Sequence, residues 1–108
     1  MIYVFDIDGT ICSLTSGQQD YRDAKPFQER IEKNNSLYNI GHTVIYYTAR
    51  GMGRTNNNVL ESYKMFYDFT KNQLNEWGVR YSDLFLGKPS GGLYIDDKGQ
   101  DARNFYEN

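Results

Sequence analysis

The chain has 108 residues, of which 39% are hydrophobic and 24% are charged, and its formal net charge is -2. This length is typical of one domain with one core, so we expect a single domain over residues 1–108 and no two-domain hinge. The acidic balance argues against a protein that coats nucleic acid, which needs a basic face. The single cysteine, Cys12, excludes an intramolecular disulfide and a zinc cluster built on cysteines.

The first predicted element is a strand at residues 2–5, a β-branched and aromatic run without alternation. Such a run is typical of a strand buried on both faces of a parallel sheet. It is too short for a signal peptide or a membrane span, so we expect a cytoplasmic protein with no membrane partner. Residues 13–25 are polar and predict a surface loop or a small hairpin.

Pro26 favours the first position of a helix, because its fixed φ suits that place. The apolar positions of this helix are Phe27, Ile31 and Tyr38, and Gly41 ends it. Residues 43–47 then predict the second strand.

A glycine-containing loop follows, and Thr55 or Asn56 can cap the next helix. Eight residues, all aliphatic or aromatic apart from one threonine, recur there at helical spacing until Gly78 ends the helix. They are Val59, Leu60, Tyr63, Phe66, Tyr67, Thr70, Leu74 and Trp77.

A short third strand is predicted within residues 79–86, followed by a glycine-rich turn at 87–92. Residues 93–95 (Leu-Tyr-Ile) predict a fourth strand, which runs into two aspartates. A last short amphipathic helix carries Ala102, Phe105 and Tyr106.

The alternation of strands and helices predicts an α/β fold with a mostly parallel sheet. Ligands of such sheets bind beyond the carboxyl ends of the strands. The chemically suggestive side chains all fall at predicted strand ends or in the turn between them. They are Asp6, Asp8, Thr48, Lys88, Asp96 and Asp97.

This set of side chains suits phosphoryl transfer. Several carboxylates at one edge need a hard cation, and Mg²⁺ fits because it keeps waters and accepts substrate phosphate. Lys88 adds a positive charge and Thr48 a hydroxyl donor, which together would neutralise and position a phosphoryl group. One aspartate could act as a nucleophile and the other as a general acid and base.

In chain order, the sequence FDIDGT at residues 5–10, Thr48, Lys88 and Asp96-Asp97 resemble the four motifs of the haloacid dehalogenase superfamily of phosphatases. The resemblance spans nearly the whole chain. It implies a three-layer α/β sandwich with a short, mostly parallel, Rossmann-like sheet. It also implies an Mg²⁺-dependent phosphomonoesterase that works through an aspartyl-phosphate.

The resemblance assigns roles to the motif residues. Asp6 would be the nucleophile and Asp8 the general acid and base. Thr48 and Lys88 would bind the transferring phosphoryl group. Gly9 and Ala49 are further phosphate-binding candidates. The implied metal ligands are Asp6, Asp8 through its backbone carbonyl, Asp97 and, in support of Asp97, Asp96.

The compact layout is similar to that of small phosphatases of capsule and surface polysaccharide biosynthesis. This similarity implies a small phosphorylated metabolite, such as a sugar phosphate, as substrate. The segment between Thr10 and Pro26 is too short for a cap domain, so we expect a minimal core without a cap. A homo-oligomer in which a neighbour's surface serves as the lid is one way to close the site.

Two roles stay open for each of Arg22 and Arg50, which could clamp a second anionic group of the substrate or pair with acidic side chains. Two other functions also stay open. A nucleotide phosphatase or a nucleic-acid 3′-phosphatase could use the same site, although the acidic balance argues against nucleic acid. A receiver-like phospho-acceptor module fits less well, because its acidic pair would precede the lysine in the chain.

Overall fold

A computed structural model describes residues 1–15 and 20–107 of the chain. Three strands and three helices follow one another along it, with a short 3-10 helix at Tyr21–Asp23. The elements are β1 (Ile2–Phe5), α1 (Gln28–Asn39), β2 (Thr43–Tyr47), α2 (Val59–Glu76), β3 (Asp83–Phe85) and α3 (Ala102–Glu107).

The strands form one parallel sheet in the order β1-β2-β3. Tyr3 pairs with Val44 and Phe5 with Tyr46, and Tyr47 pairs with Phe85 on the other side. The predicted α/β fold with a short parallel sheet is therefore confirmed. All three strands end at the same edge of the sheet, which brings the segments after Phe5, Tyr47 and Phe85 together.

Aromatic side chains tie α3 to β1. The ring of Phe105 lies 5.6 Å from that of Phe5 and 6.3 Å from that of Tyr3. Lys33 of α1 donates a hydrogen bond to the Phe105 carbonyl at 2.8 Å. The last helix is thus anchored on the same body as the sheet.

A buried asparagine links α1, β2 and α3. Asn34 donates to the Tyr46 hydroxyl at 3.0 Å and accepts from the Tyr106 hydroxyl at 2.9 Å. Burial raises the pKa of both tyrosines, that of Tyr106 to about 12, so both stay protonated at neutral pH. The amide therefore satisfies two hydroxyls that the core would otherwise leave unpaired.

The start of each long helix differs from its prediction. Pro26 lies outside α1, because it forms an antiparallel bridge with Cys12 and Phe27 caps the helix instead. The N-cap of α2 is Asn58, whose side chain accepts from the Glu61 amide at 3.0 Å. Asn56 cannot cap the helix, since it lies two residues earlier in a left-handed turn with a φ of 55°.

The predicted loop at 13–25 is hairpin-like where the structure describes it. Ser13 donates from its amide to the Lys25 carbonyl at 2.9 Å. Tyr21 and Ala24 are buried, so this part of the segment packs into the body rather than lying on its surface. Residues 16–19 of the prediction lie outside the described residues.

The prediction of a fourth strand at 93–95 is wrong. These residues form no strand, and Leu93 and Ile95 are 78% and 86% exposed. The physical reason is the connection: parallel strands need a crossover of a dozen or more residues. Only residues 86–92 separate Phe85, the last residue of β3, from Leu93.

None of the helices in the described ranges is long and apolar enough to cross a membrane.

Replacing Asn34 with alanine should lower the free energy of unfolding by about 2 kcal/mol, because it leaves two tyrosine hydroxyls without this partner and opens a small cavity. Urea unfolding measures the change. Asn72, exposed on α2, is the matched control, and its alanine variant should stay within about 0.5 kcal/mol of the unmodified chain. Equal effects at both positions would contradict the role given to Asn34.

Candidate functional site

The two aspartates of the first motif lie in a tight turn directly after β1. The amides of Thr10 and Ile11 both donate to the Ile7 carbonyl, at 3.0 and 2.9 Å. Ile7 is fully buried between Asp6 and Asp8, whose carboxylates are both partly exposed. The buried apolar residue thus anchors the turn while the residues on either side face a pocket.

The segments after β2 and β3 meet this turn. The Thr48 amide donates to the Phe85 carbonyl at 3.0 Å, and the Lys88 amide donates to the Thr48 carbonyl at 3.2 Å. Together the three segments surround a pocket of about 710 Å³. The predicted site residues that line it are Asp6, Asp8, Thr48, Ala49, Arg50 and Lys88.

Asp6 and Lys88 form an ion pair across the pocket, with 3.7 Å between Lys88 Nζ and Asp6 Oδ1. Burial raises the pKa of Asp6, and Asp8 raises it further, while Lys88 and the Ile7 amide oppose the rise. Because the pKa is raised, ionisation of Asp6 lowers stability as the pH rises through it. The ionised Asp6 carboxylate therefore lowers the stability of the folded protein.

Asp8 is held by Arg50. Arg50 Nε and Nη2 donate to the two carboxylate oxygens of Asp8 at 2.9 and 3.0 Å. The Arg50 side chain is fully buried, and that of Asp8 is 19% exposed. A bidentate pair in such surroundings fixes the plane of the carboxylate. Of the two roles left open for Arg50, the structure shows the pairing with an acid.

The Arg50 guanidinium has further support from two other elements. Its Nη1 donates to Thr70 Oγ1 of α2 at 3.3 Å, and it lies 4.7 Å from the ring centre of Tyr21. The Tyr21 carbonyl in turn accepts from Gln73 Nε2 at 2.9 Å. The pair with Asp8 is therefore built into the packing of the helix and the 3-10 turn.

Two glycines let α2 approach the site loops closely. A Cβ on Gly51 would lie 2.7 Å from Phe66 Cδ2, and one on Gly87 would lie 2.9 Å from Val59 Cγ1. Both glycines also have a positive φ, of 81° and 92°. The loops that carry Arg50 and Lys88 thus fit against α2 only without a side chain at these points.

Thr48 is buried, and its hydroxyl oxygen accepts from the Arg50 amide at 3.2 Å. This leaves the hydroxyl proton for a ligand in the pocket. Cys12 lies behind Asp8, with 3.4 Å between its Sγ and Asp8 Oδ1. Burial raises the pKa of its thiol to about 12, so the thiol stays protonated.

Four predicted site residues lie elsewhere. Asp96 and Asp97 are exposed, and neither lines the pocket; Asp96 accepts from the amides of Lys98 and Gly99. Arg22 is exposed and pairs with Asp20 at 2.8 Å. Gly9 does not line the pocket either, and its amide donates to the Cys12 carbonyl.

The pocket also contains residues that were not among the predicted site residues. Tyr94 lines it, with its ring centre 4.5 Å from Lys88 Nζ. Tyr21 and Arg54 line it as well. Tyr21 lies in a polar segment of the sequence, and its aromatic side chain among polar neighbours is the one feature that could have pointed to it.

The pocket offers few of the oxygen ligands that Mg²⁺ binds. Among the described residues no group of three acidic, histidine or cysteine side chains is placed to hold a metal ion. Asp6 and Asp8 are the two acids that line the pocket. Arg50 occupies both carboxylate oxygens of Asp8, so the Asp6 carboxylate is the one that fits a Mg²⁺ ion that keeps several waters and binds a substrate phosphate.

No family model and no curated protein sequence matches the chain. A solved structure of a structural-genomics target from Vibrio cholerae is similar with a TM-score of 0.89 and 26% identity, covering 99% of this chain and 88% of that one. A D,D-heptose 1,7-bisphosphate phosphatase from B. bronchiseptica, solved with magnesium and phosphate, is similar with a TM-score of 0.55 and 16% identity, over 94% of this chain and 55% of that one. These likenesses support the α/β, Rossmann-like fold.

Replacing Arg50 with lysine should lower the free energy of unfolding by roughly 2 kcal/mol, because an ammonium cannot replace the bidentate contact and leaves Asp8 poorly paired. Chemical denaturation measures the loss. Arg22→Lys is the control, since its exposed pair with Asp20 contributes about 0–1 kcal/mol. A similar loss in the two variants would contradict a special role for the buried pair.

Proposed function

We propose that the chain is a phosphatase that hydrolyses phosphate monoesters of small metabolites, with sugar phosphates as the first substrate class. The observation that carries this proposal is the pairing of Asp6 with Lys88 at 3.7 Å, beside an Asp8 that Arg50 holds in place. The resemblance to haloacid dehalogenase phosphatases marks Asp6 and Asp8 as catalytic and Lys88 as phosphate-binding. The heptose bisphosphate phosphatase that shares the fold supports the same substrate class.

In the proposed reaction, Asp6 attacks the phosphorus atom with a carboxylate oxygen. The bond from phosphorus to the ester oxygen breaks, and Asp8 gives a proton to the leaving alcohol. Water then attacks the aspartyl-phosphate, Asp8 takes a proton from it, and free phosphate leaves with Asp6 regenerated. Asp8 enters the first step protonated on one oxygen, and Arg50 orients the side chain through the other oxygen.

Thr48 and Lys88 would bind the transferring phosphoryl group. The Thr48 hydroxyl can donate to a phosphoryl oxygen, and the Lys88 ammonium balances its negative charge. The Asp6 carboxylate and the Asp8 backbone carbonyl would hold Mg²⁺, which when bound supplies further positive charge at the phosphoryl oxygens.

Phosphate release from a panel of sugar phosphates, nucleotides and a 3′-phosphorylated oligonucleotide tests the proposal. We expect turnover of sugar phosphates that requires Mg²⁺ and falls by about 10³-fold or more in Asp6→Asn, because the nucleophile is lost. Asp83→Asn, exposed at the start of β3, is the control and should retain activity. Absence of turnover across the panel would refute the phosphatase, and activity on the oligonucleotide alone that falls steeply with salt would mark a nucleic-acid phosphatase instead.

The same Asp6→Asn variant should melt at a temperature no lower than the unmodified chain at pH 7–8. The raised pKa of Asp6 means that the folded site favours the neutral side chain, and asparagine is neutral at every pH. Thermal unfolding followed by circular dichroism measures this. A clear fall in melting temperature would show that the ion pair with Lys88 stabilises the fold more than burial of the carboxylate destabilises it.

A further inference from the structure

A second, smaller pocket adjoins the one that holds Asp6 and Asp8, and we call it the side pocket. Its volume is about 350 Å³, and Tyr21 and Arg54 line both pockets, so the two spaces meet at these side chains. Its other lining residues are Asp20, Arg22, Met65, Phe66 and Phe69. None of the predicted catalytic or phosphate-binding residues, all of which the structure describes, lines it. A group bound in the side pocket would therefore belong to a part of the substrate that does not react.

Arg54 gives both pockets an excess of positive charge. Among the described residues, the larger pocket is lined by two acidic and three basic side chains, which are Asp6, Asp8, Arg50, Arg54 and Lys88. The side pocket is lined by one acidic and two basic side chains, which are Asp20, Arg22 and Arg54. Basic side chains thus outnumber acidic ones in each pocket, although the chain as a whole has a net charge of -2. A concave surface with such an excess attracts anions.

Arg54 differs from the other two arginines of the pockets in its place. Arg50 holds Asp8 from a buried position, and Arg22 pairs with Asp20 while 78% of the Arg22 side chain is exposed. Arg54 lies instead where the larger pocket opens into the side pocket. It is therefore the arginine that a ligand would meet from either pocket.

The loop that carries Arg54 is fixed on both sides of it. Met52 is buried, and Thr55 donates to the Gly51 carbonyl from its amide at 3.1 Å and from its hydroxyl at 2.8 Å. The Arg54 guanidinium lies over the ring of Phe66, 5.2 Å from the ring centre. Because the loop is already ordered, less conformational entropy is lost when Arg54 binds a ligand.

Asp20 is the acidic side chain that competes for Arg54. Hydrogen bonds from Arg22 lower the pKa of the Asp20 carboxyl, and the positive charge of Arg54 lowers it further. The guanidinium of Arg54 therefore lies close enough to the side pocket to act on its acid. An anion bound beside Arg54 is repelled by the charge of Asp20, so loss of that charge should strengthen its binding.

We propose that Arg54 selects phosphorylated sugars that carry a second anionic group, either a carboxylate or another phosphate, and binds that group where the two pockets meet. This inference rests on the proposed phosphatase function for its effect on catalysis. The reacting phosphoryl group would lie at Lys88, and the sugar would span the space between Lys88 and Arg54. The larger pocket has room for such a molecule, because its volume of about 710 Å³ is in the range of sites that bind whole small ligands.

Kinetics on matched sugars test the selection. We expect kcat/KM to be higher for glucose 1,6-bisphosphate, for 6-phosphogluconate or for both than for glucose 6-phosphate, and the sugar that is preferred identifies the second group. Arg54→Gln should lower this preference about fivefold or more, chiefly by raising KM for the preferred sugar. Arg80→Gln removes the same charge from an exposed arginine outside both pockets and should keep the preference. No preference in the unmodified chain, or an equal loss on all three sugars in Arg54→Gln, would overturn the proposal.

Calorimetry on the Asp6→Asn variant tests the same site without turnover. Adding Arg54→Gln should raise the Kd of glucose 1,6-bisphosphate about fivefold or more and raise that of glucose 6-phosphate less. Adding Asp20→Asn should instead lower the Kd of the bisphosphate about twofold, because the competing charge is lost while an oxygen remains to accept from the Arg22 amide. Kd values that neither substitution changes would overturn the anion site and leave an active phosphatase standing. The expected Kd changes in a chain that hydrolyses no phosphate ester would uphold the site and refute the phosphatase.

Discussion

The structure around the pocket depends on one buried ion pair, between Arg50 and Asp8. A guanidinium without solvent exposure is costly to desolvate, and the cost is offset only when its donors are satisfied. Here Asp8 and Thr70 accept from three of its nitrogens, and Tyr21 covers its face. The pair therefore joins the end of β1 to the end of β2 and to α2. Loss of either partner would loosen the turn that carries Asp6 and Asp8 as well as the Asp8 carboxylate itself.

Much of the fold follows from local pattern. β1 and β2 are short β-branched and aromatic runs, and α2 has apolar side chains at helical spacing, so each was predictable from nearby residues alone. The wrong prediction of a strand at 93–95 has a different origin. Its residues have strand-like character, but a strand needs a neighbour, and the seven residues that separate it from β3 are fewer than a parallel crossover uses. How long a connection must be depends on where both strands lie in the sheet. A short stretch of sequence does not contain that information.

The site residues divide in the same way, into those that a local pattern predicts and those that it does not. Asp6, Asp8, Thr48 and Lys88 were identifiable because strand ends of a parallel sheet converge, and the structure brings them to one pocket. The partner of Arg50 was not identifiable, since a basic residue after a strand is equally compatible with substrate and with an acid. Likewise, Asp96 and Asp97 follow an apolar run as Asp6 and Asp8 do, yet only the latter run belongs to the sheet.

The close contact of α2 with Gly51 and Gly87 has a consequence for how the sequence can change. Phe66 and Val59 face the two loops that carry Arg50 and Lys88 and leave no room for a methyl group. A larger side chain at either helix position would shift a loop that lines the pocket without contacting Arg50 or Lys88. Substitutions on the inner face of α2 are thus coupled to substitutions in the two loops. The outer surface of the helix is free to vary, whereas its inner face is not.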